Sequence, residues 1–209
     1  GLANKTKNRR FALDAYRRFI MMYGSTAMGI DRIKFDDLFD EVKEKRTRGR
    51  LNMATDKKVG DTDVNEDELA EVITKFKALY KKEIKEDFPQ NPIDQLWGAI
   101  GAVFNSWMAE KAVTYRRVEN LVGIKGTAVN VMQMVFGNKG NTSGTGVCFT
   151  RDPNSGENVF YGDYLFNAQG EDVVAGIRTP IKLSEFEKED KEAYDQLCGV
   201  RELLEQHYK

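Results

Sequence analysis

Hydrophobic residues recur at helical spacing through roughly the first ninety residues of the chain. In RRFALDAYRRFIMMYG the apolar side chains fall on one face, and similar stripes run through residues 31–45 and 68–84. Asn65, followed three positions later by Glu68, is typical of a capping box at the start of the third stripe. We predict three amphipathic helices that pack as a small bundle, with Lys- and Glu-rich outer faces exposed to solvent.

Two polar stretches interrupt this pattern. Residues 45–67 are short of large apolar side chains and predict a surface loop. FPQNP, residues 88–92, combines two prolines with an asparagine that can cap the helix predicted over residues 93–117. We therefore place a domain boundary near residue 90, between a helical subdomain (residues 1–90) and a second domain (residues 91–209).

The periodicity changes from helical to strand-like after residue 126. TAVNVMQMVF, residues 127–136, is rich in β-branched residues and predicts a buried strand. TGVCFT and NVFYGDYLF predict two more strands, and the turn-rich segments between the three indicate an antiparallel meander. NAQGEDVVAGIRTP is predicted to be loop-like, and residues 183–209 to form one amphipathic helix. The fold class is therefore α+β, a helical bundle followed by an antiparallel-sheet portion.

Composition limits the class of protein. The 209 residues, 41% of them hydrophobic, can build one large domain or two small ones. Thirty-two basic against 33 acidic residues exclude a uniformly basic nucleic-acid binder, and no run approaches the roughly 18 apolar residues of a membrane span. Cys148 and Cys198 form no CxxC pair and fit a reducing compartment. The single histidine, His207, excludes a multi-histidine metal site.

One segment, GNKGNTSGTGVCFTRDPNSGE at residues 137–157, has a composition suited to anion binding. Glycines let consecutive backbone N–H groups approach and converge on phosphate oxygens. On composition alone, a glycine-rich hairpin turn without a ligand is the favoured interpretation. The side chains that could add donors or positive charge are Thr142, Ser143, Thr145, Lys139 and Arg151.

A second segment favours a ligand-binding role for the glycine-rich segment over an empty turn. NAQGEDVVAG carries the adjacent acids Glu171 and Asp172 between glycines, and carboxylates in such loops suit a magnesium–nucleotide site. Taken alone, QGED could equally be a turn followed by a helix start. The chain contains no GxxxxGK[ST] phosphate loop, HExxH, GxSxG or Rossmann GxGxxG motif, so these catalytic templates do not apply to it.

Long stretches of the chain resemble the pyruvate phosphate dikinase family. They are YRRFI and MYG, then FPQNPIDQLWGAIGAVFNSWM, then TAVNVMQMVFGNKGNTSGTGVCFTRDPNSGE, and finally YGDYLFNAQGEDVVAGIRTP. The match runs from about Asn4 to Pro180 in the family's order and spacing, and the run at residues 126–180 is specific to it. Two alternatives stay open, a phosphoenolpyruvate synthase-type dikinase and a non-enzymatic helical interaction module.

The resemblance implies a fold, a reaction and partners. The family converts ATP, phosphate and pyruvate to AMP, diphosphate and phosphoenolpyruvate through a phosphohistidine on a swivelling domain, and it forms homodimers through another domain. Its enzymes are usually cytoplasmic, with plastid and glycosomal forms. This chain resembles part of the ATP-grasp-like nucleotide-binding domain with its inserted helical subdomain. We expect no nucleic-acid and no membrane partner.

The resemblance also implies a nucleotide site. The residues matching the adenine-lining segment are Gln133, Met134 and Val135; those matching the phosphate-covering loop are Gly144, Thr145 and Gly146; the acidic residue of the triphosphate–metal region is Glu171. The chain begins without Met or a signal-peptide pattern, ends within a helical pattern, and lacks the family's phosphohistidine motif. We therefore expect a piece of a longer enzyme that uses ATP and Mg²⁺. Its metal ligands are expected downstream of this chain. The isolated piece is expected to hold no catalytic residue, to bind neither ATP nor Mg²⁺, and to be inactive.

Overall fold

A computed structural model of the chain describes residues 1–51, 59–174 and 178–208. The chain divides into two compact units, Gly1–Met132 and Gln133–Lys209. The predicted subdomain boundary near residue 90 falls inside the first unit and stays a prediction. In the described residues no helix is both long and apolar enough to cross a membrane.

The first unit is helical. Its described elements are α1 (Leu2–Thr6), α2 (Arg9–Met22), a π-helical turn (Tyr23–Ala27), α3 (Arg32–Leu51), a 3₁₀ turn (Asp61–Asp63), α4 (Glu66–Ile84), α5 (Pro92–Ser106) and α6 (Glu110–Val118). The three predicted helices of the bundle are confirmed as α2, α3 and α4. The predicted capping box is also confirmed: Asn65 Oδ1 accepts from Glu68 N at 2.9 Å, and Glu68 Oε2 accepts from Asn65 N at 2.8 Å.

The bundle core consists of the apolar stripes that the periodicity indicates. Phe35 and Phe76 are fully buried and meet edge to face, with ring centroids 5.0 Å apart. Ile20 from α2 and Leu69 from α4 are also fully buried. Burying side chains of this size stabilises a fold by about 1.5–3 kcal/mol each, so this core is a main contribution to the packing of the three helices.

Two features of the first unit differ from expectation. The stretch predicted to be a loop from residue 45 is helical as far as Leu51, because ion pairs to α4 such as Arg46–Glu68 stabilise the polar end of α3; residues 52–58 lie outside the described residues. The helix predicted over residues 93–117 breaks between α5 and α6. There Arg116 stacks 3.8 Å from the Trp107 ring and donates to the Trp107 carbonyl at 2.7 Å, which satisfies a helix-end acceptor.

The second unit joins a small sheet to helices. Its described elements are β1 (Gly144–Phe149), β2 (Tyr161–Phe166), α7 (Gly170–Val174), β3 (Ile181–Lys182), α8 (Leu183–Glu189) and α9 (Lys191–His207). β1 pairs antiparallel with β2, from Gly144 opposite Phe166 to Phe149 opposite Tyr161, and β2 pairs antiparallel with β3. The α+β class and the turn predicted at DPNSGE are confirmed. The predicted closing helix is interrupted at Asp190, whose carboxylate caps α9 by accepting from Ala193 N at 3.0 Å.

The strand predicted over residues 127–136 is wrong. These residues have no regular secondary structure, and most of their side chains are exposed, with Met132 at 84%. β-branched composition favours extended backbone, but a strand also needs a neighbour to complete its hydrogen bonds. In the described sheet β1 pairs only with β2, so residues 127–136 have no such neighbour.

Candidate functional site

Residues 137–143, here called the glycine-rich loop, are closed by the Ser143 side chain. Ser143 Oγ lies 3.0 Å from the carbonyl oxygens of Gly137 and Gly140 and accepts from Lys139 N at 3.0 Å. Ser143 N also donates to Gly140 O at 3.2 Å. Because a hydroxyl carries one proton, Ser143 is engaged within the loop, although its sequence position suggested a donor to a ligand.

The tip of the glycine-rich loop presents free backbone donors. In the described chain, the N–H groups of Gly140, Asn141 and Thr142 have no hydrogen-bond partner, and the Thr142 hydroxyl has none either. Gly140 adopts a φ of +147°, which few other residues tolerate. Consecutive unpartnered amides in a glycine-rich turn are suited to phosphate oxygens, so the residues present fit a nucleotide phosphate.

Residues 167–169, here called the connector, join β2 to α7 and are bound to the glycine-rich loop. Asn167 N donates to Ser143 O at 2.7 Å, and Ala168 N donates to Gly137 O at 2.9 Å. Gly137 permits this approach because a Cβ there would lie 2.3 Å from Ala168 O. The loop and the connector therefore form one hydrogen-bonded substructure.

The predicted residues Gly144, Thr145 and Gly146 begin β1, directly after the glycine-rich loop. Their register places them opposite residues 164–166 of β2, the strand that leads into the connector. Thr145 Oγ1 donates to Ala168 O at 2.7 Å, so the hydroxyl predicted to face a phosphate is bonded to the connector.

Glu171 lies half-buried in α7, immediately after the connector. Its neighbour Asp172 is buried, and Asp172 Oδ2 accepts from Gln169 N at 2.8 Å. The loop predicted over NAQGEDVVAGIRTP is therefore wrong at residues 170–174, where QGED is a turn followed by a helix start, the alternative that the sequence left open. Of the two adjacent acids, Asp172 stabilises the start of α7. In the described residues no group of three or more His, Cys, Asp or Glu side chains could hold a metal ion, so Glu171 belongs to no such cluster.

Arg178 is a site-organising residue that the sequence reasoning missed. Its Nη1 donates to Phe166 O at 3.1 Å and to Asn167 O at 2.9 Å. Asn167 adopts a left-handed φ of +47°, and the charged guanidinium spans the two carbonyls at this turn. Nothing in the segment GIRTP distinguishes this arginine, because its partners lie 11 and 12 residues earlier in the chain.

The residues predicted to line the adenine lie outside the hydrogen-bonded substructure of the glycine-rich loop and the connector. Met134 and Val135 are 61% and 85% exposed, and Gln133 is exposed as well. In the part of the chain that the structure describes, these three residues make no hydrogen bond. Their backbone N–H and C=O groups are consequently available to the polar edge of a base.

The two candidate cations have different surroundings. Lys139 belongs to the glycine-rich loop and is exposed. Arg151 follows the far end of β1 and forms a two-pronged ion pair with Glu205 of α9, at 2.7 Å and 3.0 Å. Six strand residues separate Arg151 from the loop by roughly 20 Å. The interpretation of Arg151 as a phosphate-facing charge is therefore not supported.

A cavity of about 360 Å³ lies between the sheet and helices α8 and α9. Apolar side chains such as Phe166, Phe186 and Leu197 line much of it, beside Cys148 of β1. Burial raises the pKa of the Cys148 thiol. Burial, together with the charges of Glu189 and Glu185, also raises the pKa of Tyr164. Both shifts keep these two groups neutral near pH 7, but the carboxylates of Asp163 and Asp190 also line the cavity.

The second unit is a candidate phosphate-binding domain, because a glycine-rich loop with free amides is bound beside the acidic start of α7. Comparison with known families identifies the family to which this domain belongs. Residues 40–208 match the family described as "Pyruvate phosphate dikinase, AMP/ATP-binding domain". Because the match covers most of the chain, the chain belongs to this family, as its resemblance predicted.

Individual relatives agree with this assignment over the whole chain. The chain is 49% identical to pyruvate, phosphate dikinase of Clostridium symbiosum. It is 47% identical to chloroplastic pyruvate, phosphate dikinase 1 of Zea mays and 46% identical to the chloroplastic enzyme of Flaveria trinervia. All of this chain aligns with each relative, but it spans only 23%, 21% and 21% of their respective lengths.

Proposed function

We propose that this chain supplies part of the ATP site of a pyruvate phosphate dikinase. The longer enzyme would convert ATP, phosphate and pyruvate to AMP, diphosphate and phosphoenolpyruvate through a phosphohistidine. The observation that carries the proposal is the 46–49% identity to dikinases along the entire chain. The free amides at residues 140–142 support it, because they provide donors where phosphate oxygens would bind.

The proposed roles follow from position and chemistry. Gly144 and Gly146, which lack side chains, and the loop amides would let the backbone approach the ATP phosphates. Gln133, Met134 and Val135 would border the adenine with their unpaired backbone groups. Glu171 would face the triphosphate–metal region, where Mg²⁺ neutralises phosphate charge when bound. Thr145 lies between the two glycines at the start of β1, directly after the glycine-rich loop.

Other parts of the enzyme would complete the reaction. In-line phosphoryl transfer depends on several cations and metal ligands acting together, and losing one such donor typically costs about 3–4 kcal/mol of transition-state stabilisation. We therefore propose that this segment alone is inactive and serves a swivelling phosphohistidine domain in a homodimer formed through another domain. Residues 1–90 would be the inserted helical subdomain. A cytoplasmic location is proposed, with a plastid or glycosome as alternatives.

The test is the phosphate requirement of the full-length enzyme that contains this chain. Purified enzyme would be incubated with Mg·ATP and pyruvate, with and without inorganic phosphate, and its products separated. We expect phosphoenolpyruvate and diphosphate only when phosphate is present. Phosphoenolpyruvate formed without phosphate would identify a phosphoenolpyruvate synthase-type dikinase instead, and the absence of any phosphohistidine after incubation with ATP would favour a non-enzymatic helical module.

A further inference from the structure

We infer that Thr145 is a positioning residue: its hydroxyl holds the connector, and through it Glu171, and does not donate to a bound phosphate. The role of Glu171 in this inference rests on the proposed function. The structural link between Thr145 and the connector does not, because it is a hydrogen bond between two groups of this chain.

The first argument is the number of protons. The Thr145 hydroxyl has one, and it lies in a 2.7 Å hydrogen bond to Ala168 O. A phosphate oxygen needs a donor, so Thr145 could serve it only by abandoning Ala168. Ala168 is fully buried, and its carbonyl would then have to find another donor inside the protein. A buried acceptor without a donor is costly, which favours retaining the bond when a ligand arrives.

The second argument is the packing around that bond. A Cβ on Gly137 would lie 2.1 Å from Thr145 Oγ1, so the hydroxyl occupies the space that the missing side chain leaves. Ala168 N donates to Gly137 O at 2.9 Å. Thr145, Gly137 and Ala168 therefore contact one another, and no phosphate can reach the hydroxyl from the Gly137 side.

The third argument is what the connector positions. Ala168 lies three residues before Glu171, and Gln169 N is held by the Asp172 carboxylate at the start of α7. Fixing the Ala168 carbonyl thus sets the direction in which the connector enters α7. A shift of about 1 Å in a positioned group can cost two orders of magnitude in rate, so this link is sufficient to affect Glu171.

The first experiment uses the ¹⁵N-labelled chain without nucleotide and measures hydrogen exchange at the Ala168 and Asn167 amides. Thr145→Val removes the hydroxyl but keeps the shape, and we expect both amides to exchange about tenfold faster. Thr145→Ser retains the donor and should exchange as the parent chain does. Thr142→Val is the matched control, because the Thr142 hydroxyl has no partner in the described chain, and it should change neither amide. Unchanged exchange in Thr145→Val would overturn the inference.

The second experiment uses the full-length enzyme and measures histidine phosphorylation at varied Mg·ATP. We expect Thr145→Val to lower kcat at least tenfold while KM for ATP changes less than threefold, and Thr145→Ser to restore kcat. A tenfold rise in KM with kcat preserved would instead identify the hydroxyl as a phosphate donor and refute positioning. If the parent enzyme itself forms no phosphohistidine, the proposed function fails, while the exchange result still decides the structural link.

Discussion

Replacing Asp14 by Asn tests the buried charge cluster of the helical unit. Asp14 is only 6% exposed, and its Oδ1 accepts from Arg17 Nε at 3.1 Å and from Arg17 Nη2 at 2.5 Å. Its Oδ2 accepts from Arg18 Nε at 3.1 Å. Arg17 is 3% exposed and also stacks 4.3 Å from the Phe39 ring, so it cannot turn to solvent without disrupting the core.

The size of the effect follows from burial. In Asp14→Asn, the Arg17 charge faces a neutral amide. The amide nitrogen of Asn also places its own N–H groups against arginine N–H groups, so one of the hydrogen bonds is lost. Removing one partner of a buried ion pair typically costs about 3–5 kcal/mol, against a total stability of about 5–15 kcal/mol for a domain. With a urea m-value of roughly 2 kcal/mol per M, the unfolding midpoint should fall by about 1.5–2.5 M.

The assay is urea unfolding followed by far-UV circular dichroism, repeated over a range of pH. Burial alone would raise the pKa of Asp14, but the charges and hydrogen bonds of Arg17 and Arg18 outweigh it and hold the pKa below its ordinary 3.8. Because the folded-state pKa is lowered, the cluster stabilises the fold fully above the ordinary value of 3.8, and this stabilisation is lost as pH falls through the lower folded-state pKa. The difference between parent and Asp14→Asn should therefore be constant near neutral pH and shrink below about pH 4.

The matched control is Asp36→Asn. Asp36 pairs with Arg32 at 3.5 Å on α3, and both side chains are about half-exposed. An exposed pair of this kind contributes less than about 1 kcal/mol, so the midpoint should shift by less than about 0.5 M. Equal shifts in the two variants, or a difference for Asp14→Asn that does not depend on pH in acid, would refute the argument from burial.

Three further predictions concern the site. Gly137→Ala should accelerate amide exchange at Ala168 at least tenfold, because the added methyl would lie 2.3 Å from Ala168 O. Gly126→Ala is the control, because the space around Gly126 is open. Equal exchange at Ala168 in the two variants would contradict the steric reasoning. Glu171→Gln in the full-length enzyme should lower histidine phosphorylation by ATP at least tenfold; an unchanged rate in rapid-quench assays would remove Glu171 from the site. Arg178→Met should destabilise the second unit by about 1.5–3 kcal/mol through two lost charged hydrogen bonds, measured by amide exchange across β2, with partial recovery in Arg178→Lys. If Arg178→Met left amide exchange across β2 unchanged, a stabilising role for Arg178 would be excluded.

Much of the fold could be predicted because it depends on local patterns. Apolar spacing marks α2, α3 and α4 without reference to the rest of the chain, and the Asn65–Glu68 capping box lies within four consecutive residues. The DPNSGE turn is equally local: Asp152 O accepts from Gly156 N at 2.8 Å, and Gly156 adopts a φ of +76°. The family could be predicted as well, because its motifs are contiguous.

The strand predicted over residues 127–136 shows where local patterns are insufficient. Its composition indicates extended backbone, and these residues are indeed not helical. Strand pairing, however, depends on a neighbouring strand that the local composition does not specify. The break between α5 and α6 has a similar cause, because Arg116 reaches the Trp107 carbonyl from nine residues away.

The sequence by itself determined that three amphipathic helices pack in the first unit, where the hairpin turns, and that a glycine-rich loop and an acidic pair belong to a nucleotide-binding family. Only the tertiary structure decided what individual side chains do there. Thr145 and Ser143 were equivalent hydroxyls in the sequence, yet one holds the connector and the other closes the loop. Arg151 turned out to pair with Glu205, 54 residues away, and Arg178 to bind the carbonyls of Phe166 and Asn167. A hydrogen bond needs its partners within about 3 Å, and for residues far apart in the chain only folding establishes that distance.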